Sequence, residues 1–129
     1  MNLSIITVVK NDKRNLEPTI KSVLSQNYKD FEYIIFDGLS SDGIESVINR
    51  YKKNNIKYVR RSDKNYYDGL NKAIKKAKGN YIGILNAGDI YDNKNVLKIV
   101  MNKILKTKCD LLFSNLRYAN SKNKYSRVW

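Results

Sequence analysis

Histidine is absent from the sequence, and cysteine and proline occur once each. Without histidine there can be no Ser-His-Asp triad, no imidazole general base and no histidine-ligated zinc. Acid–base chemistry and hard-metal binding must then fall to carboxylates, with hydroxyl and amide groups assisting. The single cysteine, Cys109, allows no intramolecular disulfide, which fits a reducing cytoplasm. No apolar run nears the ~20 residues that cross a bilayer. The start, Met1-Asn2-Leu3-Ser4, has no basic n-region, apolar h-region or cleavage site, so no signal peptide is expected. Glycine is missing where a phosphate loop would need it. The first apolar run ends in Val9-Lys10-Asn11-Asp12. That counts against a dinucleotide-dependent dehydrogenase and against a nucleoside triphosphatase loop.

Acidic residues are also scarce, 12 against 25 Lys and Arg, leaving a net charge of +13. Such a surface attracts polyanions: nucleic acid, anionic headgroups or phosphorylated ligands. Lys and Asn richness also follows from biased genomic composition, so charge alone selects no partner. Nucleic acid is not expected. The sequence has no RNA-recognition aromatic motif, helix-turn-helix or zinc spacing.

What is present reads as one domain. At 129 residues the chain buries roughly two-thirds of the surface its unfolded form exposes, enough for a core without disulfides. Residues 3–9 form a short β-branched run, suited to a strand buried on both faces. Leu16, Ile20, Val23 and Leu24 follow at helical spacing, with Pro18 in the first turn. Strands are predicted at 31–36, 56–59, 81–85 and 110–113. Helices are predicted after Asp42-Gly43, over 66–78 with Gly79 as C-cap, and after a cap at Asp92 or Asn93. This β-α alternation predicts an α/β fold with a mainly parallel sheet flanked by helices. Residues 116–129, with Leu116, Tyr118, Tyr125 and Trp129, show no clear period and suit part of a hairpin.

In open α/β sheets ligands bind beyond the carboxyl ends of the strands. Those ends carry Lys10-Asn11-Asp12, then Asp37-Gly38, then Asn86-Ala87-Gly88-Asp89. Carboxylates at separate strand ends converge in space, as a hard divalent cation and a ribose require. Each has a plainer reading as an Asx-turn or helix cap, and for Asp42 the cap of the following helix is preferred.

At this point the residues carry a family resemblance. Ser4-Ile5-Ile6-Thr7-Val8-Val9-Lys10-Asn11, then Ser22-Val23-Leu24-Ser25-Gln26-Asn27-Tyr28, resembles the opening of the inverting glycosyltransferases of family 2, whose fold is the Rossmann-like GT-A. Tyr66-Tyr67-Asp68-Gly69-Leu70-Asn71-Lys72-Ala73 and Ile84-Leu85-Asn86-Ala87-Gly88-Asp89 are similar to motifs of a subgroup in bacterial surface-polysaccharide synthesis. The resemblance covers about 3–115, the expected nucleotide-sugar-binding domain. It makes 116–129 the start of an acceptor-side region or a tail.

The resemblance implies roles. Val9 and Lys10 would line the donor site, and Asp37 would contact the nucleoside. Asn86 would lie beside the ribose or sugar. Asp68 and Asn71, one helical turn apart, would approach the donor sugar or acceptor. Asp89 would bind Mg²⁺ or Mn²⁺ bridging the diphosphate. The expected donor is a UDP-sugar and the acceptor a saccharide or a lipid-linked one. Peripheral contact with an anionic membrane on its inner face, and a homo-oligomer, are further expectations. Gly38 and Gly88 stand where commoner relatives carry acids, and Arg60-Arg61 where they often carry Ser-Glu. The catalytic base of relatives comes from later chain, so none is placed and the domain reads as truncated. A non-catalytic nucleotide-sugar-binding module is the alternative that this leaves open.

Overall fold

The computed structural model describes residues 1–119 and 125–128. Strands β1 (Leu3–Val9), β2 (Phe31–Asp37), β3 (Ile56–Arg60) and β4 (Tyr81–Ile84) form one parallel sheet in the order β3-β2-β1-β4. Between them run α1 (Lys13–Leu24), α2 (Glu45–Arg50) with a 3-10 turn at Lys52–Asn54, and α3 (Tyr66–Ile74). Helix α4 (Val96–Thr107) and an antiparallel hairpin of β5 (Arg117–Ala119) and β6 (Tyr125–Val128) follow. The chain divides into two compact units, Met1–Lys98 and Ile99–Trp129, with the boundary inside α4.

All seven residues of β1 are buried, as a strand between two parallel neighbours requires. Ile6, Val8, Ile34 and Phe36 meet Ala73, with Val59, Leu70 and Ala77 packed around them, so α3 covers one sheet face. Burying side chains of this kind stabilises by about 2 kcal/mol each. The polar groups in this interior are paired. The Thr7 hydroxyl donates to the Leu85 carbonyl at 2.6 Å and lies 2.9 Å from the Tyr33 hydroxyl. Glu32 receives the Ser4 hydroxyl, the Lys78 amide and Lys57 at 2.6, 2.6 and 3.1 Å.

The structure departs from the sequence reading at five places. Pro18 is the sixth residue of α1 and lies inside the helix, not in its first turn. Residues 110–113 form no strand, and Leu111 and Phe113 are exposed. A short apolar run becomes a strand only where a neighbour pairs with it, and none does here among the described residues. Helix α3 stops at Ile74, so Gly79 is not its C-cap. Gly79 instead lies against the backbone of β1, where a Cβ would sit 2.6 Å from Leu3 C and Ser4 N. Helix α2 begins at Glu45 without a side-chain cap. Asp42 caps a different helix, accepting the Lys13 amide at the start of α1 at 2.8 Å. The Asn93 side chain accepts the Asn95 amide and its carbonyl accepts the Gln26 side-chain amide at 2.7 Å, while the oxygen of buried Gln26 accepts the Leu97 amide in the first turn of α4 at 3.0 Å. The expected tail hairpin is present, and Tyr118 is exposed. Trp129 and the side chain of Tyr125 lie outside the described residues.

Candidate donor site at the carboxyl ends of the strands

Four parallel strands end on one side of the sheet, and their following loops are tied together there. After β1, Asn11 turns into the left-handed region at φ 51°, which Asn tolerates better than most residues. Its amide donates to the Ser40 hydroxyl at 2.8 Å, and its side-chain oxygen accepts the Ser41 amide at 2.7 Å. The loops after β1 and β2 are thereby joined.

Asp37, the last residue of β2, is fully buried. One oxygen accepts the Ser40 amide at 2.8 Å; the other accepts the Tyr58 hydroxyl and the Arg60 guanidinium, the latter at 2.7 Å. Burial opposes its ionisation, but the hydrogen bonds from Ser40, Tyr58 and Arg60 outweigh it and hold the carboxyl below the usual range. Arg60 also reaches Glu45 at 3.1 Å. Neither Tyr58 nor Arg60 was expected at the site. The available signal was register: in parallel pairing Asp37 stands opposite Arg60.

Beyond β2, Gly38 is needed for space. A Cβ there would meet the Asp63 carboxylate at 2.5–3.0 Å, and a Cβ on Gly69 would meet the same group at 2.7 Å. Asp63 therefore sits in a notch between two glycines, one after β2 and one in α3.

Between the ends of β1 and β4 lies a cleft of about 340 Å³, lined by Val8, Val9, Lys10, Asp12, Tyr66, Asn86 and Ala87. It brings together three expected residues, Val9, Lys10 and Asn86. Tyr66, the first residue of α3, donates its hydroxyl to Asn86 Oδ1 at 2.5 Å. Desolvation, then the neighbouring Tyr67 and Asp89, raise the Tyr66 phenol above its ordinary range.

Asp89 follows in a tight turn closed by its own amide on the Asn86 carbonyl at 2.9 Å. Gly88 allows the turn with φ 95°. Buried Thr19 of α1 holds it from beneath, accepting the Gly88 amide at 3.0 Å and donating to the Asp89 carbonyl at 2.8 Å. Desolvation pushes the Asp89 carboxyl above its usual range.

Four expected residues lie outside the cleft lining: Asp37 and Asp89, described above, and Asp68 and Asn71 of α3. Asp68 is third in α3, where its amide donates to the cap Asn65 at 2.9 Å. Its carboxylate accepts the Lys64 amide at 2.9 Å and pairs with Lys72 at 3.1 Å. Those contacts lower its carboxyl, the Lys64 amide most, followed by Lys72. Asn71 is exposed one turn further on.

No group of three or more Cys, Asp or Glu side chains able to hold a metal occurs among the described residues. An all-protein cage is therefore not formed by them. The turn does fit the other common mode, in which one or two carboxylates and ligand phosphates share a divalent cation. Asp89 supplies a surface carboxylate in that position.

A parallel α/β sheet with polar groups gathered at its carboxyl strand ends is the arrangement in which open α/β folds bind their ligands. The sequence matches the model of glycosyl transferase family 2 over residues 4–128, and the chain belongs to that family. It is 38% identical over 93 residues to the Escherichia coli protein named UDP-Glc:alpha-D-GlcNAc-diphosphoundecaprenol beta-1,3-glucosyltransferase WfaP, covering 69% of this chain and 36% of that protein. It is 29% identical over 115 residues to the putative teichuronic acid biosynthesis glycosyltransferase TuaG of Bacillus subtilis (strain 168), covering 87% and 45%. The chain thus spans less than half the length of these relatives.

Among solved structures, S. aureus TarS 1-349 in complex with UDP-GlcNAc superposes with a TM-score of 0.77 at 22% identity, over 82% of this chain and 32% of that one. The mannosyltransferase PcManGT from Pyrobaculum calidifontis, in complex with GDP-Man and Mn2+, gives 0.74 at 19% identity, over 80% and 32%. These likenesses establish the GT-A, Rossmann-like fold.

Proposed function

We propose that this chain forms the donor-binding half of an inverting, metal-dependent glycosyltransferase of cell-surface polysaccharide synthesis. The donor is a nucleoside diphosphate sugar, with UDP-sugar favoured by the donors named for WfaP and TarS. The acceptor is a saccharide or a lipid-linked saccharide. The observation that carries the reading is the strand-end cleft, where Val9, Lys10 and Asn86 meet beside the Asp89 turn.

Lys10, exposed at the rim, meets phosphate or packs its alkyl stem on the base. Asn86, oriented by Tyr66, offers its amide to the ribose or sugar. Asp37, expected to contact the nucleoside directly, is fully buried and committed to Ser40, Tyr58 and Arg60, so its role is assigned to anchoring the loop after β2 beside the nucleoside. Asp68 and Asn71 face the sugar or acceptor side from α3. A bound Mg²⁺ or Mn²⁺, held by Asp89, would neutralise charge on the departing diphosphate. The transfer is one in-line displacement. The acceptor oxygen bonds to the anomeric carbon as the bond to the diphosphate oxygen breaks, and the acceptor proton passes to a carboxylate. Inversion follows from the single displacement. No residue of this chain is assigned as that base.

The proposal places the protein in the cytoplasm, on the inner face of the membrane, and includes self-association. In the sheet order β4 is terminal, and its Ile82 and Ile84 are 39% and 48% exposed. Mass measured by light scattering should rise with concentration and fall for Ile84→Lys. The donor reading is tested by thermal shift with UDP, with and without Mn²⁺. Wild type should be stabilised by UDP and more so with Mn²⁺, whereas Asp89→Ala should lose the Mn²⁺-dependent part. An unchanged Mn²⁺ response in Asp89→Ala would remove Asp89 from the metal site.

A further inference from the structure

From Asn93 to Cys109 the chain carries five lysines, Lys94, Lys98, Lys103, Lys106 and Lys108, and no acidic residue. Helix α4 occupies most of this stretch. Leu97, Met101 and Ile104 form its buried stripe. At 100° per residue, Lys98, Asn102, Lys106, Ile99 and Lys103 lie on the side turned away from that stripe and Leu105 on its flank, and all are exposed. A solvated helix face would fill that side with polar residues alone. Here Ile99, one turn before Lys103, is 63% exposed, and Leu105, on the flank of the stripe and followed by Lys106, is 53% exposed. The chain after Asp110 also exposes apolar side chains, Leu111 at 70% and Phe113 at 85%, without lysines among them.

We infer that the outer face of α4 and the segment that follows it form a docking surface for an anionic phospholipid bilayer. This deepens the membrane placement proposed above and is independent of donor binding. Lysines alone would suit any polyanion, and exposed apolar side chains alone would suit a protein partner. A bilayer surface uses both at once. Ammonium groups meet lipid phosphates while neighbouring Ile, Leu and Phe side chains enter the headgroup–acyl boundary. Lysine stems lie along the apolar boundary and keep their charge in water. A second copy of the chain is disfavoured, because two such faces carry the same charge. No helix among the described residues is long and apolar enough to cross a membrane, so the contact assigned here is peripheral.

The test is sedimentation of the full chain with phosphatidylcholine vesicles and with vesicles of equal parts phosphatidylcholine and phosphatidylglycerol. Wild type should partition onto the anionic vesicles, and salt should release it. The Lys98→Gln, Lys103→Gln, Lys106→Gln triple variant should bind roughly a hundredfold more weakly, at about fivefold for each lysine. A charge-matched control, Lys52→Gln, Lys53→Gln, Lys75→Gln, removes three exposed lysines on other elements and should lose far less. Phe113→Ser, at a site too exposed to matter for folding, should weaken binding roughly tenfold. If wild type ignores anionic vesicles, the membrane reading itself fails. If wild type binds and both triples lose equally, the reading stands but this surface does not. If the lysine variant loses binding while Phe113→Ser does not, the face recognises polyanions in general and the bilayer assignment is overturned.

Discussion

Arg60 at the end of β3 reaches the carboxylate of Asp37 at the end of β2, at 2.7 Å, from the position directly opposite it in the parallel ladder. The two partners differ sharply in environment. Asp37 is fully buried and Arg60 is 37% exposed. Removing the carboxylate strands a half-buried hydroxyl, a backbone amide and a guanidinium. Removing the guanidinium leaves Asp37 with Ser40 and Tyr58 still in place. Asp37→Ala should therefore cost roughly 3 kcal/mol in urea denaturation. Arg60→Ala should cost about 1 kcal/mol or less, because water can reach its place. Equal losses would mean that the pair, and not the buried acceptor, holds the loop.

The same carboxylate sets an acid limit. Both Asp37 and Glu32 are held below the usual carboxylate range by hydrogen bonds that outweigh their burial. The unfolded chain takes up protons at the ordinary carboxylate pKa and the folded chain only at lower pH. Their contribution to stability is thus fully present above the ordinary range and is lost as pH falls through the depressed values. Midpoint temperature should fall steadily on acidification below about pH 4. Asp37→Asn should flatten that decline while lowering stability at neutral pH.

Much of this architecture was legible in the chain. The β-branched run at 3–9 and the helical spacing of Leu16, Ile20 and Val23 follow from side-chain periods, and periods survive in a single sequence. Val9, Lys10 and Asn86 were legible as strand-end residues because parallel sheets gather such ends. Long-range closures were not. Asp42 caps a helix that precedes it by 29 residues, and Gln26 caps one 71 residues later. No local pattern marks such acceptors. The 110–113 run misled because pairing, and not composition, makes a strand. Tyr66 was hidden by its place at a helix start, although its hydroxyl sets the orientation of Asn86.

Two glycines in one part of the fold should respond differently to the same substitution. At Gly79 a Cβ would lie 2.6 Å from the backbone of Leu3 and Ser4, which cannot withdraw without moving the central strand. At Gly83 it would meet Ile5 Cδ1 at 2.9 Å, the far end of a side chain able to change rotamer. Gly79→Ala should destabilise by roughly 2–3 kcal/mol, and Gly83→Ala by about 1 kcal/mol or less. Chemical denaturation of the two variants checks the order, and a reversed order would contradict the close approach at Gly79.

Thr19 offers the sharpest separation of site from fold. Its hydroxyl accepts from Gly88 and donates to the Asp89 carbonyl, so one buried oxygen fixes the turn that carries the carboxylate proposed to hold the metal. It also lies 3.3 Å from the Asn15 carbonyl, a weak contact within its own helix. Thr19→Val keeps the shape and removes both bonds to the turn. The Gly88 amide loses its acceptor there, and the turn should relax toward water to replace it, at a cost of about 1–2 kcal/mol. Fold content by circular dichroism should be unchanged. Stabilisation by UDP alone should persist, because Val9, Lys10 and Asn86 are untouched. The added stabilisation by Mn²⁺ should shrink, since it needs Asp89 held at one distance from the diphosphate. Thr19→Ser restores the hydroxyl and should restore the Mn²⁺ response. A Thr19→Val protein with a full Mn²⁺ response would show that the turn holds its geometry without this anchor.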